Sequence, residues 1–488
     1  MSSDAELSPA GTVPLVVDMD GTLVRVDTLH EAVLAEVGSE PLAVVRMAGW
    51  LSGGRAGFKR RLADRRLAPA EGLPLNEAVL ELLREARAEG RRTVLVTAAD
   101  RRQAEAVAAR TGLFDEVHGT DPGTAGGANL SGRAKADFLA DRFGRGGFDY
   151  VGDARVDLPV WAAARRAVTV GAPARLRAAA EAANPDAVHL APPTEGPRRL
   201  TPWLRALRPH QWSKNLLIFA PALAAHDMGG LGPAAVAFVA FSLVASAVYV
   251  LNDLLDLAAD RAHPRKRARP FAAAEIPAAG GVLLAGGLLA AAVLLAAAAT
   301  PTRFLAVLAV YFAATCAYSL VLKRRVIIDI LTLAGLYTLR VLAGAAAAAV
   351  ALSPWMLAFS VFVFLALAAV KRQAELTDQA ARGQVEAAGR GYRIDDLPIM
   401  HGIAISAGNA AVLVFALYIY SPNVRALYVR HELLWLICPL MLYWLMRMVM
   451  ITHRGRMHDD PIVFAASDRV SQAVGAAAAA AVLAATLA

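Results

Sequence analysis

Two regimes of hydrophobic patterning divide the chain. Between residues 13 and about 182, apolar residues come in short runs of β type: "VPLVV" at 13–17, "TVLVT" at 93–97, "DYVG" at 149–152 and "RAVTVG" at 166–171. Polar segments of helical periodicity separate them, and the alternation predicts a doubly wound α/β fold whose ligands gather at the carboxyl ends of the strands. From about residue 212 the apolar runs lengthen to the size that crosses a ~30 Å hydrocarbon core. Nine spans are predicted, at 215–227, 232–251, 277–299, 302–321, 326–347, 354–370, 400–420, 432–450 and 470–487. The first is short, the last is rich in Ala, and the small residues in several suit close helix packing in lipid. Between the regimes, "ANPDAVHLAPPTEGPRRLT" at 183–201 reads as a linker. In the following stretch, 202–215, Trp203, Leu204, Leu207 and Trp212 interleave with Arg205, Arg208, His210 and Lys214, the pattern of an interfacial helix.

Composition supports this division. Hydrophobic residues make up 57% of 488, too many for an ordinary soluble protein. The net charge of +8 raises the question of nucleic acid, but its distribution gives another answer. The loops after the second, fourth, sixth and eighth spans carry "RAHPRKRARP", "KRR", "KRQAEL" and "HRGRMHDD", whereas the other loops carry almost no Lys or Arg. Positive loops stay in the cytoplasm, which predicts a cytoplasmic N-terminal domain, an outside C-terminus and no nucleic-acid partner. Cys316 and Cys438 lie within apolar runs and read as inert buried thiols. The segment "MSSDAELSPAGTV" has neither the basic nor the apolar region of a signal peptide.

Candidate chemistry in the first regime starts at "VVDMDGT", where a strand ends in Asp18 and Asp20 follows two residues on. Two carboxylates there, followed by a turn with Gly21, suit a divalent metal and a phosphate. Thr97 closes the second strand, Lys135 opens a helical pattern, and "GDARVD" places Asp153 and Asp157 after the third strand. This set resembles the haloacid-dehalogenase-type phosphatases, with a Rossmann-like α/β core over residues 1–182. The resemblance implies that Asp18 is the nucleophile and Asp20 the general acid and base. Thr97 and Lys135 would hold the phosphate, and Asp18, Asp20, Asp153 and Asp157 would surround Mg²⁺. It also implies that the mostly helical segment at about 25–85 is a cap.

In the second regime, "NDLLDLAAD" leaves an apolar run. At 3.6 residues per turn, Asn252, Asp253, Asp256 and Asp260 share one stripe of a helix, placed to bind Mg²⁺ on a diphosphate. His263, Arg265, Lys266, Arg267 and Arg269 follow and offer phosphate contacts. Asp329 lies just inside the fifth span, and Arg340 is three turns on, on the same face, which predicts a channel for a lipid with an anionic head. Lys371, Arg372 and Glu375 extend the theme, although Glu375 equally fits a helix-stabilising pair with Lys371.

Residues 202–488 resemble the UbiA-type membrane prenyltransferases: "NDLLDLAAD" matches the first acidic motif and "YSLVLKRRVIID" stands in the place of the second. That second motif has Leu333 where a partner for Asp329 is usual. "RPHQWSKN", "NDLLDLAADRAHPRKRARP", "LRVLAG" and "KRQAEL" are similar to one branch, the decaprenyl-phosphate phosphoribosyltransferases. That likeness implies Mg²⁺ on Asn252, Asp253, Asp256 and Asp260, and catalysis resting on Asp256 and Asp329. It also implies phosphate contacts from Lys214, Arg265, Lys266, Arg269, Lys323, Arg340 and Lys371. The implied partners are phosphoribosyl diphosphate, a polyprenyl phosphate and the lipid bilayer, with the phosphatase removing a 5-phosphate from the product. Two alternatives stand beside this: prenyl transfer to an aromatic or other acceptor, and a phosphatase anchored by a non-catalytic lipid-binding bundle.

Overall fold

The computed structural model describes residues 13–40, 42–120, 129–190, 200–381, 391–457 and 460–487. The middle of the predicted linker, 191–199, and the loop residues Arg382, Arg390, His458 and Asp459 lie outside them. The chain forms two compact units, Met1–Ala206 with Val250–Leu283, and Leu207–Tyr249 with Leu284–Ala488.

The first unit is built on a six-stranded sheet: β1 (Leu15–Val17), β2 (Thr93–Asp100), β3 (Glu116–Thr120), β4 (Asp149–Gly152), β5 (Arg166–Val170) and β6 (Val188–Leu190). The order is β3-β2-β1-β4-β5-β6, with every pairing parallel. Parallel strands are covered on both faces, so the central ones are largely buried, and β1 is wholly so. β3 and β6 were not predicted. Residues 188–190, read as linker, instead pair with β5 as the edge of the sheet.

Eight helices accompany the strands: α1 (Thr28–Ser39), α2 (Ala43–Trp50), α3 (Gly54–Arg65), α4 (Glu77–Ala88), α5 (Arg101–Thr111), α6 (Arg133–Phe143), α7 (Leu158–Trp161) and α8 (Ala174–Ala183). The chain leaves the core beside Val24 and returns at Leu75, which bridges Val24 antiparallel. The excursion, α1–α3, has its own small core of Ala32, Ala43, Met47 and Leu62. The cap therefore ends before α4, short of the predicted residue 85. The α4 residues Val79, Leu80, Leu83 and Ala86 face the sheet and join its core.

The remaining helices are α9 (Leu200–Leu207), α10 (Ala220–Ala224), α11 (Leu231–Leu255), α12 (Leu257–Ala262), α13 (Ala278–Ala299), α14 (Thr302–Leu320), α15 (Ile328–Ala348), α16 (Pro354–Ala381), α17 (Leu397–Ile419), α18 (Pro422–Leu427), α19 (Ile437–His453), α20 (Pro461–Ser467) and α21 (Arg469–Leu487). Among the described residues, eight helical segments are long and apolar enough to cross a membrane, which makes this a multi-pass integral membrane protein. Nine spans were predicted. The missing one, 215–227, is a run of 3₁₀-helix (Pro209–Phe219) followed by the short α10. Arg208 there takes a left-handed φ of 51° just before Pro209, which ends the predicted interfacial helix at α9. In the second unit α15 is the most enclosed helix, with 67% of its apolar window buried against 17% for α14. Phe241, Val244, Phe304, Leu308, Leu336 and Ala343 form the core around it.

Candidate active sites

The carboxyl ends of β1, β2 and β4 converge on one site in the first unit. Oxygens of Asp18, Asp153 and Asp157 lie within 4.8 Å of one another, the only such carboxylate trio among the described residues. Lys135, buried on α6, donates to Asp18 Oδ1 at 2.7 Å and to the Tyr150 hydroxyl at 2.9 Å. The Tyr150 hydroxyl in turn donates to Asp157 Oδ1 at 2.9 Å. Asp157 Oδ2 accepts from the Ala154 N–H at 3.1 Å, and Thr22 donates to Asp153 Oδ1 at 3.1 Å. Thr97 is buried within β2, which runs three residues beyond it, its hydroxyl accepting from the Ala99 N–H at 3.1 Å. Gly21, at φ 79°, lies so close that a Cβ there would overlap the Asp153 carboxylate.

Burial, and then the charges of Asp18 and Asp157, push the Asp153 carboxyl up to about 7. Burial and the Asp18 charge raise Asp157 as well. Three close carboxylates with one lysine are short of positive charge, and all the donors are hard oxygens. The set fits a divalent cation of the magnesium type. Asp20 does not join the trio, contrary to its predicted place among the metal ligands. Its Oδ1 accepts from the Thr28 N–H at 3.0 Å, at the start of α1. Burial pushes it up to about 7, against the opposing pull of that hydrogen bond, which suits an acid and base near neutrality. Asp20 faces a cavity of about 190 Å³ that Thr28, Lys59, Leu62 and Arg66 line from the cap side.

The acidic motif is not one continuous stripe. α11 ends at Leu255, Asp256 stands at the junction with non-helical ψ of 13°, and α12 begins after it. Asp253 and Asp260 are buried and share Arg269, whose Nη1 reaches them at 3.0 and 2.7 Å. Asn252 and Asp256 are half-buried. Arg265 and Lys266 are exposed, whereas Arg269 meets the acidic residues directly.

In the second unit, Asp329 is fully buried and pairs with Arg372, at 2.9 Å to Nε and 2.6 Å to Nη2, with Tyr318 donating to it at 2.9 Å. Arg372 also meets Glu375. Arg340, predicted on the same face as Asp329, turns instead to Asn215 Oδ1 (2.9 Å) and the Tyr311 hydroxyl (3.1 Å). Lys214 and Lys371 do meet. Both donate to Asp460 Oδ2, at 2.9 and 2.8 Å, beneath the Tyr337 ring. Asp460 also caps α20 through the Ile462 N–H at 3.1 Å. Lys323 lies in the 3₁₀ turn Leu322–Arg324. Sequence reading missed Tyr150, Thr22 and Asp460. Thr22 closes the "DMDGT" motif without announcing its contact to Asp153, and Asp460 is defined by lysines far along the chain.

Comparison with known proteins bears on both units. Residues 216–487 match the UbiA prenyltransferase family, and residues 15–162 match the haloacid dehalogenase-like hydrolases. An uncharacterized protein, y4nM, of Sinorhizobium fredii is 38% identical over 95% of this chain and 89% of its own. The decaprenyl-phosphate phosphoribosyltransferase of Mycolicibacterium smegmatis is 41% identical over 203 residues, 39% of this chain and 64% of that protein. A solved UbiA homolog from Archaeoglobus fulgidus, bound to GPP and Mg2+, aligns with a TM-score of 0.44 and 16% identity over 58% of this chain and 99% of that one. The chain belongs to the UbiA prenyltransferase family, as a membrane transferase that carries a haloacid dehalogenase-like hydrolase domain ahead of it.

Proposed function

We propose that the transferase moves 5-phosphoribose from phosphoribosyl diphosphate to a polyprenyl phosphate, and that the hydrolase then removes the 5-phosphate. The observation that carries the first step is the fate of Asp329. A clamp that holds a prenyl diphosphate between two acidic motifs needs free carboxylates in the second. Here Asp329 is locked on Arg372 and Leu333 offers no partner. What the second unit offers instead is cationic: Lys214, Lys371 and Arg340, with Asp460 between the two lysines. That suits a lipid whose head is a phosphate, and the likeness to the phosphoribosyltransferase agrees.

A lipid phosphate oxygen attacks ribose C1, the C1–O bond to the diphosphate breaks, and pyrophosphate leaves. Asn252, Asp253, Asp256 and Asp260 are the residues that would hold Mg²⁺, which when bound offsets the charge of the leaving group. Lys214 and Lys371 exchange Asp460 for the lipid phosphate. In the hydrolase, the Asp18 carboxylate attacks phosphorus, and Asp20 gives its proton to the departing ribose oxygen. Asp20 then takes a proton from the water that releases phosphate from Asp18. Lys135 holds the phosphoryl oxygens, and Tyr150 keeps Lys135 aimed.

We further infer that residues 1–190 form the hydrolase domain and 202–488 the transferase, and that the basic loops face the cytoplasm. Eight crossings alone would leave both ends on one side. The eleven-residue 3₁₀ run before α10 stretches about 22 Å at its ~2.0 Å rise. With α10 it comes to roughly the ~30 Å of a ninth crossing, and on that reading the C-terminus lies outside.

The test supplies labelled phosphoribosyl diphosphate, a polyprenyl phosphate and Mg²⁺ to membranes with the full chain. Label enters lipid, and Asp256→Ala abolishes it. Asp18→Asn leaves the labelled lipid as its 5-phosphate. Label from a prenyl diphosphate alone would overturn the phosphoribosyl reading. An unchanged product with Asp18→Asn would overturn the coupled hydrolysis.

A further inference from the structure

Within the first unit, one ion pair lies outside both active sites and joins elements that sequence places far apart. Arg261, on α12, directly follows Asp260 of the acidic motif, and its guanidinium meets α1. Its Nη1 and Nη2 donate to Glu31 Oε2 and Oε1 at 2.7 and 2.6 Å, a bidentate pair. Its Nε donates to the Ala272 carbonyl at 3.1 Å. Both side chains are buried, at 8% and 7% exposure, so this is not a solvated surface bridge of negligible strength. Glu31 lies on α1, the first cap helix of the hydrolase. At the other end of the same helix, Gly38 comes so close to the Leu255 carbonyl that a Cβ would stand 3.1 Å from it. Thus α1 is fixed along its length to the junction of α11 and α12, on both sides of Asp256.

α1 also has a catalytic neighbour. Its first N–H, on Thr28, holds the Asp20 carboxylate, and Thr28, Leu29 and Ala32 line the cavity that Asp20 faces. Glu31 is therefore one helical turn from the group that holds the acid and base, and Arg261 is one residue from Asp260. A shift of α12 must either carry α1 with it or leave a buried carboxylate and guanidinium unpaired, which is strongly unfavourable.

We propose that the Glu31–Arg261 pair is a joint through which the hydrolase cap docks on the acidic loop of the transferase, with both as positioning residues. The state of the loop then sets the position of α1 and so the setting of Asp20. The inference rests on the two-enzyme reading above, and the readouts keep the two separate.

The experiment measures two activities of the full-length protein in lipid: phosphate release from p-nitrophenyl phosphate, and transfer of label from phosphoribosyl diphosphate. Glu31→Ala, a change in the hydrolase cap, lowers label transfer at least about fivefold, the lower range of coupling between sites. Arg261→Ala, a change in the transferase loop, lowers phosphate release by a similar factor, in kcat rather than in KM. The exchange Glu31→Arg with Arg261→Glu restores both to within about twofold, which lost folding would not allow. In addition, magnesium pyrophosphate slows hydrogen exchange over residues 28–39 in the unaltered protein and not in Glu31→Ala. If the unaltered protein has phosphate release but no label transfer, the phosphoribosyl reading falls, and the exchange measurement alone decides the joint. If each single variant affects only the activity of its own half, and the exchange of residues 28–39 ignores pyrophosphate, the joint is overturned and the pair is packing.

Discussion

Tyr150→Phe tests whether the hydrolase site works as the hydrogen-bonded chain implies. The hydroxyl is completely buried and makes two bonds, from Lys135 at 2.9 Å and to Asp157 at 2.9 Å. Phenylalanine keeps the ring and its packing and deletes only these. Each bond involves a charged partner, so each contributes about 1.5–3 kcal/mol. Lys135 keeps Asp18 and Asp157 keeps the Ala154 N–H, so neither is left alone. The change therefore loosens the aim of Lys135 and the charge balance of the carboxylate trio rather than unfolding the site. If one such bond is lost in full from the transition state, the rate falls roughly 10- to 100-fold at about 1.4 kcal/mol per decade. That is also the range found when groups supporting metal ligands are removed. The assay is phosphate release from p-nitrophenyl phosphate by the full-length protein across a magnesium titration, with circular dichroism to confirm the fold. Kinetics within about twofold of the unaltered protein at every magnesium concentration would refute the role given to Tyr150.

Two further outcomes follow from charges held by the fold. Burial by itself would raise the Asp149 carboxyl, but the hydrogen bonds from Arg165 and Arg91 outweigh it and hold the group below its ordinary value of 3.8. A depressed folded value contributes stability above the unfolded value and loses it as pH falls through the folded one. Thermal unfolding of the hydrolase domain should thus weaken below about pH 4, and Asp149→Asn should flatten that dependence; equal slopes would exclude it. In the transferase, Asp460→Asn leaves Lys214 and Lys371 close together without their counter-ion, at a cost of roughly 3–5 kcal/mol. The unfolding temperature should drop, and added pyrophosphate should recover more of it in the variant than in the unaltered protein, since a ligand that binds only the folded state stabilises it. Equal recovery in both would rule out an anion site between the lysines.

Local pattern was enough for the sheet core and the long helices, because β1, β2, β4 and β5 are largely buried runs and α11, α13–α17, α19 and α21 are long and apolar. Periodicity could not separate the cap from the core. α4 continues the helical pattern of the cap segment, and its packing on the sheet is what assigns it to the core. β3, "EVHGT", and β6, "VHL", are short, partly polar edge strands that a pattern of buried runs does not detect. The segment of the ninth predicted span is not one regular helix for a backbone reason, since Pro209 and Pro221 remove donors that a regular helix needs. In the sites, motif residues were legible but their partners were not. Lys135 is 117 residues from Asp18, Lys214 is 246 from Asp460, and Asp329 is 43 from Arg372. The rule that residues three turns apart share a face placed Asp329 with Arg340. It could not supply Asn215 and Tyr311, the groups that Arg340 meets.

The two charged centres of the transferase share a device that the sequence does not express. Asp253 and Asp260 are buried against Arg269, and Lys214 and Lys371 against Asp460. A buried charge without a partner costs more than a pair gains, so a site that must bind a highly charged substrate cannot wait with its charges bare. Holding an internal counter-ion solves this, because binding becomes an exchange of partners rather than the burial of new charge. A diphosphate with its magnesium would release Arg269 from the carboxylates, and the freed guanidinium is the kind of group that grips phosphate oxygens in pairs. A lipid phosphate would likewise take the place of Asp460 on the lysines. Affinity in each centre is then the difference between two strong interactions. Such a difference stays moderate, as turnover requires, while rejecting neutral molecules that cannot replace the internal ion.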